Sequence, residues 1–173
     1  MKTIYRLLAG CLVVSIAYGA APTFSAPISA GLRWMPYQNP SLHFALKLPD
    51  VWQVQEKDNV VGFTSPVKGN THGAMGILKS SKKGVSIQEA ASKGLGVSVR
   101  AAGWTLTNAR FGGLPAVKVV SAMKDDPTQK MVQYYVQEGE DLFLIQCIAP
   151  VSEWSDYNAL FATMIRTFQF SIQ

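Results

Sequence analysis

Met131-Val132-Gln133-Tyr134-Tyr135-Val136-Gln137, then Glu138-Gly139-Glu140-Asp141, then Leu142-Phe143-Leu144-Ile145-Gln146-Cys147-Ile148-Ala149: two apolar runs flank four polar residues that include a glycine. That is the pattern of a β-hairpin, the clearest in the chain. The second run is almost wholly apolar and reads as a buried strand. Upstream, Leu42, Phe44, Leu46 and Leu48 alternate with His43, Ala45 and Lys47. A period of two marks a half-buried strand and turns His43 outward. Pro49-Asp50 is a turn, and further strands follow at 51–54, 60–64, 74–79, 104–108 and 116–123. Gly112-Gly113 and Asp125-Asp126-Pro127 separate the later ones as turns.

Two helices interrupt this series. Ser86-Ile87-Gln88-Glu89 is a capping box that opens a helix running to about residue 102, with Ile87, Ala91, Leu95 and Val99 as its apolar stripe. A second helix starts near Ser152 and presents Trp154, Tyr157, Phe161, Ile165 and Phe168 on one face. Such an aromatic stripe packs on a sheet. Residues 168–172 read as a closing strand. The sum is an α+β layered domain.

The chain has 173 residues, 48% of them hydrophobic and 16% charged, which suits one folded domain and excludes disorder, collagen and coiled coil. Residues 1–30 read as a signal peptide and short leader. Lys2 and Arg6 precede an apolar run from Leu7 to Ala17, too short for a bilayer of about 30 Å. Cleavage is expected near Gly19 or Ala30, leaving residues 31–173 as a single domain. Leu8-Ala9-Gly10-Cys11 has the form of a lipobox, but the apolar run continues through Cys11. Cleavage leaves Cys147 alone in an oxidising compartment. Within a buried strand it behaves as a small hydrophobe. The alternative is a thiol enzyme using Cys147 with His43 or His72.

No catalytic constellation is present. The two histidines are scattered and make no metal site by spacing. Gly69, Gly73 and Gly76 lack the following Gly-Lys-Ser/Thr of a phosphate loop. No hydrolase elbow or zincin motif occurs. The acidic turns at 125–126 and 138–141 lack the ordered ligand pattern of a calcium loop. The sequence therefore calls for no metal, no cofactor and no catalytic residues.

Phe44-Ala45-Leu46-Lys47-Leu48-Pro49-Asp50-Val51-Trp52 resembles the opening Phe-x-(aliphatic)-x-x-Pro-x-x-Trp strand-turn of the PsbP-like proteins. Gly62-Phe63-Thr64-Ser65-Pro66 is similar to the hairpin return that follows it there. The later order is also similar: a helix, Gly113-Leu114-Pro115-Ala116 leading a strand, a hairpin and a closing helix. The resemblance covers residues 40–172. It implies a Mog1/PsbP-type α/β/α sandwich with a central antiparallel sheet. The founding members are extrinsic subunits of photosystem II on the lumenal side, and DcrB-like bacterial relatives are exported. No binding residue of those proteins maps onto this chain.

The net charge of +5 is unevenly spread. Residues 31–67 balance. Residues 68–120 hold Lys68, Lys79, Lys82, Lys83, Lys93, Arg100, Arg110 and Lys118 against Glu89 alone, and residues 121–173 are net acidic. This asymmetry makes Lys79, Lys82, Lys83, Lys93 and Arg100 the candidate docking residues for an acidic envelope or membrane-associated protein, or for an anionic membrane surface. Nucleic acid is not expected, since no basic helix or interleaved stacking aromatics accompany the lysines. The leading reading is an exported, non-catalytic binding or assembly-support module, periplasmic or secreted, lumenal in a photosynthetic host. The alternative is a small-ligand carrier with Trp34, Trp52 or Trp104 lining an apolar pocket.

Overall fold

The structure is a computed structural model, and it describes residues 31–66, 72–81, 84–92, 105–123 and 126–171. The hairpin of residues 131–149 lies near the middle of the molecule. It comprises β8 (Gln129–Glu138) and β9 (Asp141–Pro150), ten residues each, in register from Gln129 opposite Pro150 to Glu138 opposite Asp141. Gly139 turns it at φ +58°. Ahead of it along the chain come β1 (Trp34–Asn39), β2 (Phe44–Pro49), β3 (Gln53–Lys57), β4 (Val60–Thr64), β5 (Ala74–Ser81), β6 (Thr105–Phe111) and β7 (Leu114–Ala122). After it come helix α1 (Trp154–Thr167) and the two-residue β10 (Gln169–Phe170).

Seven strands form one antiparallel sheet in the order β3-β4-β5-β9-β8-β7-β6, with β9 at its centre. Both faces of its middle strands are buried, which explains the nearly unbroken apolar run of β9. On one face Ile77, Val136, Phe143, Ile145 and Cys147 join a core completed by α1 and by a second, three-stranded sheet, β1-β2-β10. On the other face Val117, Val119, Tyr135 and Leu142 pack with Ala90 and Ala91. The layers form an α/β/α sandwich with a β-sheet added beside α1.

Residues 87–92 are helical, and the Ser86 hydroxyl accepts the Glu89 N–H at 3.2 Å, as the capping box requires. The expected remainder of that helix, from residue 93, lies outside the described residues, as does the leader 1–30.

Four details depart from the periodicity reading. Strand β1 precedes the first expected strand. It carries polar, exposed positions and no clean alternation, and pairing with β2 is what makes it a strand. His43 is not on the strand: it sits in the turn before β2 at φ +58°, its carbonyl accepting the Ser171 N–H at 2.9 Å. In α1 the buried stripe is Tyr157, Leu160, Phe161 and Met164, because the helix packs through i, i+3, i+4, i+7 positions. Trp154 and Ile165 lie on its edges, half-buried. The closing strand begins at Gln169 rather than Phe168, with Gln169–Phe170 matching β2, and residue 172 lies outside the described residues.

Two glycines of the β5 region separate steric from conformational effects. A methyl group at Gly73 would penetrate the ring of Tyr157, whose hydroxyl lies 3.0 Å from the Ser65 hydroxyl and so cannot easily withdraw. At Gly76 nothing lies within 4 Å of the same position. Urea unfolding of Gly73→Ala is expected to show a loss of about 1–3 kcal/mol. Gly76→Ala is expected to be neutral or to gain about 0.4–1 kcal/mol.

Candidate functional site

The seven-stranded sheet ends, on its inner side, in an open groove. By the period of two, Glu138 falls on the same inner face of β8 as Val132, Tyr134 and Val136. Extending the β7–β8 register places Leu114 directly opposite Glu138. Gly112 and Gly113, at φ +56° and +83°, turn the chain tightly between β6 and β7. The chain leaving α1 then crosses this end as Phe168, Gln169, Phe170 and Ser171. Together these residues line a cavity of about 520 Å³.

The wall is held by aromatic contacts. Phe168 stacks on Phe44 at 5.2 Å and meets Phe111 at 4.7 Å and Phe170 at 4.9 Å; Phe170 meets Phe143 at 5.0 Å. A Cβ at Gly112 would lie 2.9 Å from the Phe170 ring, so the glycine lets the turn seat against that wall. The Arg110 guanidinium donates to the Gly113 carbonyl and braces the turn. Glu138 is half-buried and takes part in neither ion pair found among the described residues.

Lys79 lies in β5 with its ammonium 2.9 Å from Asp141 and 5.8 Å from the centre of the Phe143 ring; its side chain is 17% exposed. Lys118 leans over Tyr134 at 5.6 Å. Lys82, Lys83, Lys93, Arg100 and Trp104 lie outside the described residues. Trp52 is buried beneath α1, edge-on to Phe161 at 6.0 Å, and does not line the groove. Trp34 is half-buried against the main core. His43 and His72 do not come together with Cys147 in any group able to hold a metal among the described residues.

Cys147 is wholly buried between its register partners Met75 and Val132. Loss of solvation pushes its thiol up to about 12, which withholds the thiolate a nucleophile needs. His72 is pulled below its ordinary value by burial. Tyr37 donates to Glu56 at 2.6 Å and so ties β1 to β3; burial, with help from that bond, raises it to about 12.

The groove residues were not singled out in the sequence. Glu138 reads as part of a solvated acidic turn there. The signal that assigns it is its parity with Val136 and Tyr134 on β8. Nothing local marks Phe170, whose role depends on what the chain meets after α1.

No protein-family model and no curated protein matches this chain. Solved structures do. The cyanobacterial PsbP protein of Synechocystis aligns over 85% of this chain and 98% of its own length, with a TM-score of 0.60 at 11% identity. The fold is PsbP-like. LpqN of Mycobacterium tuberculosis, described as involved in cell envelope biogenesis, aligns over 89% of this chain and all of its own, with a TM-score of 0.56 at 14% identity. A Bacteroides thetaiotaomicron protein aligns over 80% of this chain at a TM-score of 0.56 and 11% identity; this chain spans 48% of that one. Within this PsbP-like fold, no helix among the described residues is long and apolar enough to cross a membrane.

Two outcomes check the electrostatics. Native protein at pH 8 is expected to leave Cys147 unmodified by a thiol reagent over hours, and unfolded protein to react fully; fast labelling of the native state contradicts its burial. The hydrogen bond from Lys79 holds Asp141 below the ordinary carboxylate range. A group depressed in the folded state stabilises above its unfolded value and ceases to do so as pH falls through the folded one. Between about pH 4 and pH 2 the wild type should therefore lose more stability than Asp141→Asn, as urea midpoints would show.

Proposed function

We propose that this protein is an exported, non-catalytic binding or assembly-support module of the cell envelope or lumen, docking on a protein partner. The observation that carries the reading is full-length likeness to LpqN, described as acting in cell envelope biogenesis, and to a cyanobacterial PsbP. Residues 1–30 support it through their basic start and short apolar run. The geometry adds a cavity walled by backbone and aromatic rings with one carboxylate, a surface suited to holding something.

The basic stretch 68–120 is the proposed contact for an acidic partner or an anionic membrane surface. Within it, Lys79 already serves Asp141, and Lys118 leans on Tyr134. The docking charge therefore rests with Lys82, Lys83, Lys93 and Arg100. A small-ligand carrier is the second reading. The 520 Å³ groove favours it, since ligand pockets run at about 300–1,000 Å³.

Fractionation and crosslinking in intact cells test the module. The mature chain is expected outside the cytoplasm, without its leader, and joined to a discrete partner. Lys82→Glu/Lys83→Glu should weaken that crosslink several-fold. An uncleaved chain confined to the cytoplasm would overturn the reading, and an equal crosslink from both proteins would remove the basic stretch from it.

A further inference from the structure

We propose that the groove between β10 and the β6–β7 turn receives an extended peptide as an added strand, with a Lys or Arg of that peptide held by Glu138. This deepens the binding-module reading and rests on it. Among the described residues β10 is an edge strand, bonded to β2 alone. The Ser171 N–H reaches the His43 carbonyl at 2.9 Å, and Gln169 lies opposite Ala45. Bonding direction alternates along an antiparallel strand. Gln169 and Ser171 therefore turn their backbone groups toward β2, and Phe170 turns its N–H and C=O away, to the free edge. Phe168 has the same parity, so its carbonyl points the same way. An added strand would pair with the Phe168 carbonyl and with both backbone groups of Phe170.

The side chains select what that strand carries. Phe170 and Leu114, both half-buried, give the groove apolar surface for side chains of a peptide. Glu138 contributes a half-buried carboxylate on the same face, beside those rings. Arg110 is committed to the Gly113 carbonyl behind the turn, and Lys79 to Asp141. A cationic side chain on the ligand complements Glu138, and an acidic one meets like charge. The edge is also short, two residues in β10, which guards against unselective strand addition while leaving room for one directed by charge.

Displayed random heptapeptides, panned against the folded chain, test the proposal. Lys or Arg is expected to be enriched at one position. Glu138→Gln, with unchanged thermal unfolding, should weaken a selected peptide about three- to tenfold, and panning on Glu138→Lys should favour Asp or Glu. N-methylation of the peptide amide that pairs with Phe170 should abolish binding, and amide shifts should concentrate at Gly112, Gly113 and Phe170. No enrichment, indifference to Glu138→Gln, or shifts elsewhere would overturn it. So would arginine amide binding as tightly as the peptide, which would make the groove a small-cation site. Failure here with the envelope crosslink intact rejects the groove alone; loss of the crosslink rejects the module.

Discussion

The ring of Phe168 stands where three parts of the molecule meet. It follows the last turn of α1, its N–H closing on the Ile165 carbonyl at 3.2 Å, and it is 3% exposed. It stacks on Phe44 of the three-stranded sheet and touches Phe111 of the seven-stranded one. Aromatic pairs of this kind contribute about 0.5–1.5 kcal/mol each beyond the area they bury. Their greater consequence is positional. With Phe168 fixed, β10 must lie against β2, Phe170 must lie against Phe143 and Gly112, and the groove has its wall.

The same constraint sorts charge from burial. Asp141 and Glu138 face one another across the β8–β9 turn, yet among the described residues only Asp141 has a lysine paired with it. Lys79 reaches it from β5, the neighbour of β9 on the other side. Glu138 points inward from the end of β8, toward the groove. Two carboxylates in one register row thus differ: among the described residues one is paired with a lysine and the other is not. Cys147 illustrates the opposite limit. Set between Met75 and Val132, it is a packing residue.

Much of the fold was legible along the chain. The 131–149 hairpin, the strands at 60–64, 74–79 and 116–123, the capping box at Ser86 and a C-terminal helix all rest on local periodicity, which is strong where one face or both are buried. The opening motif from Phe44 to Trp52 pointed to the PsbP-like fold that the solved structures share. Strand β1 escaped notice because only Asn39 of its residues is buried and its order comes from β2 and from the bond between Tyr37 and Glu56. His43 was misassigned because alternation continues through a residue whose backbone has already turned.

The amino-acid sequence by itself determined the layered α+β class, the hairpin order, where the two helices start and the uneven charge, since each follows from neighbours a few residues apart. Tertiary structure decided the site. It brought residues 112–114, 138 and 168–171 to one groove, oriented the free edge of Phe170 and spent Lys79 on Asp141. Those outcomes depend on contacts between segments tens of residues apart, and side-chain periodicity carries no information about which distant strand edge or ring will be met.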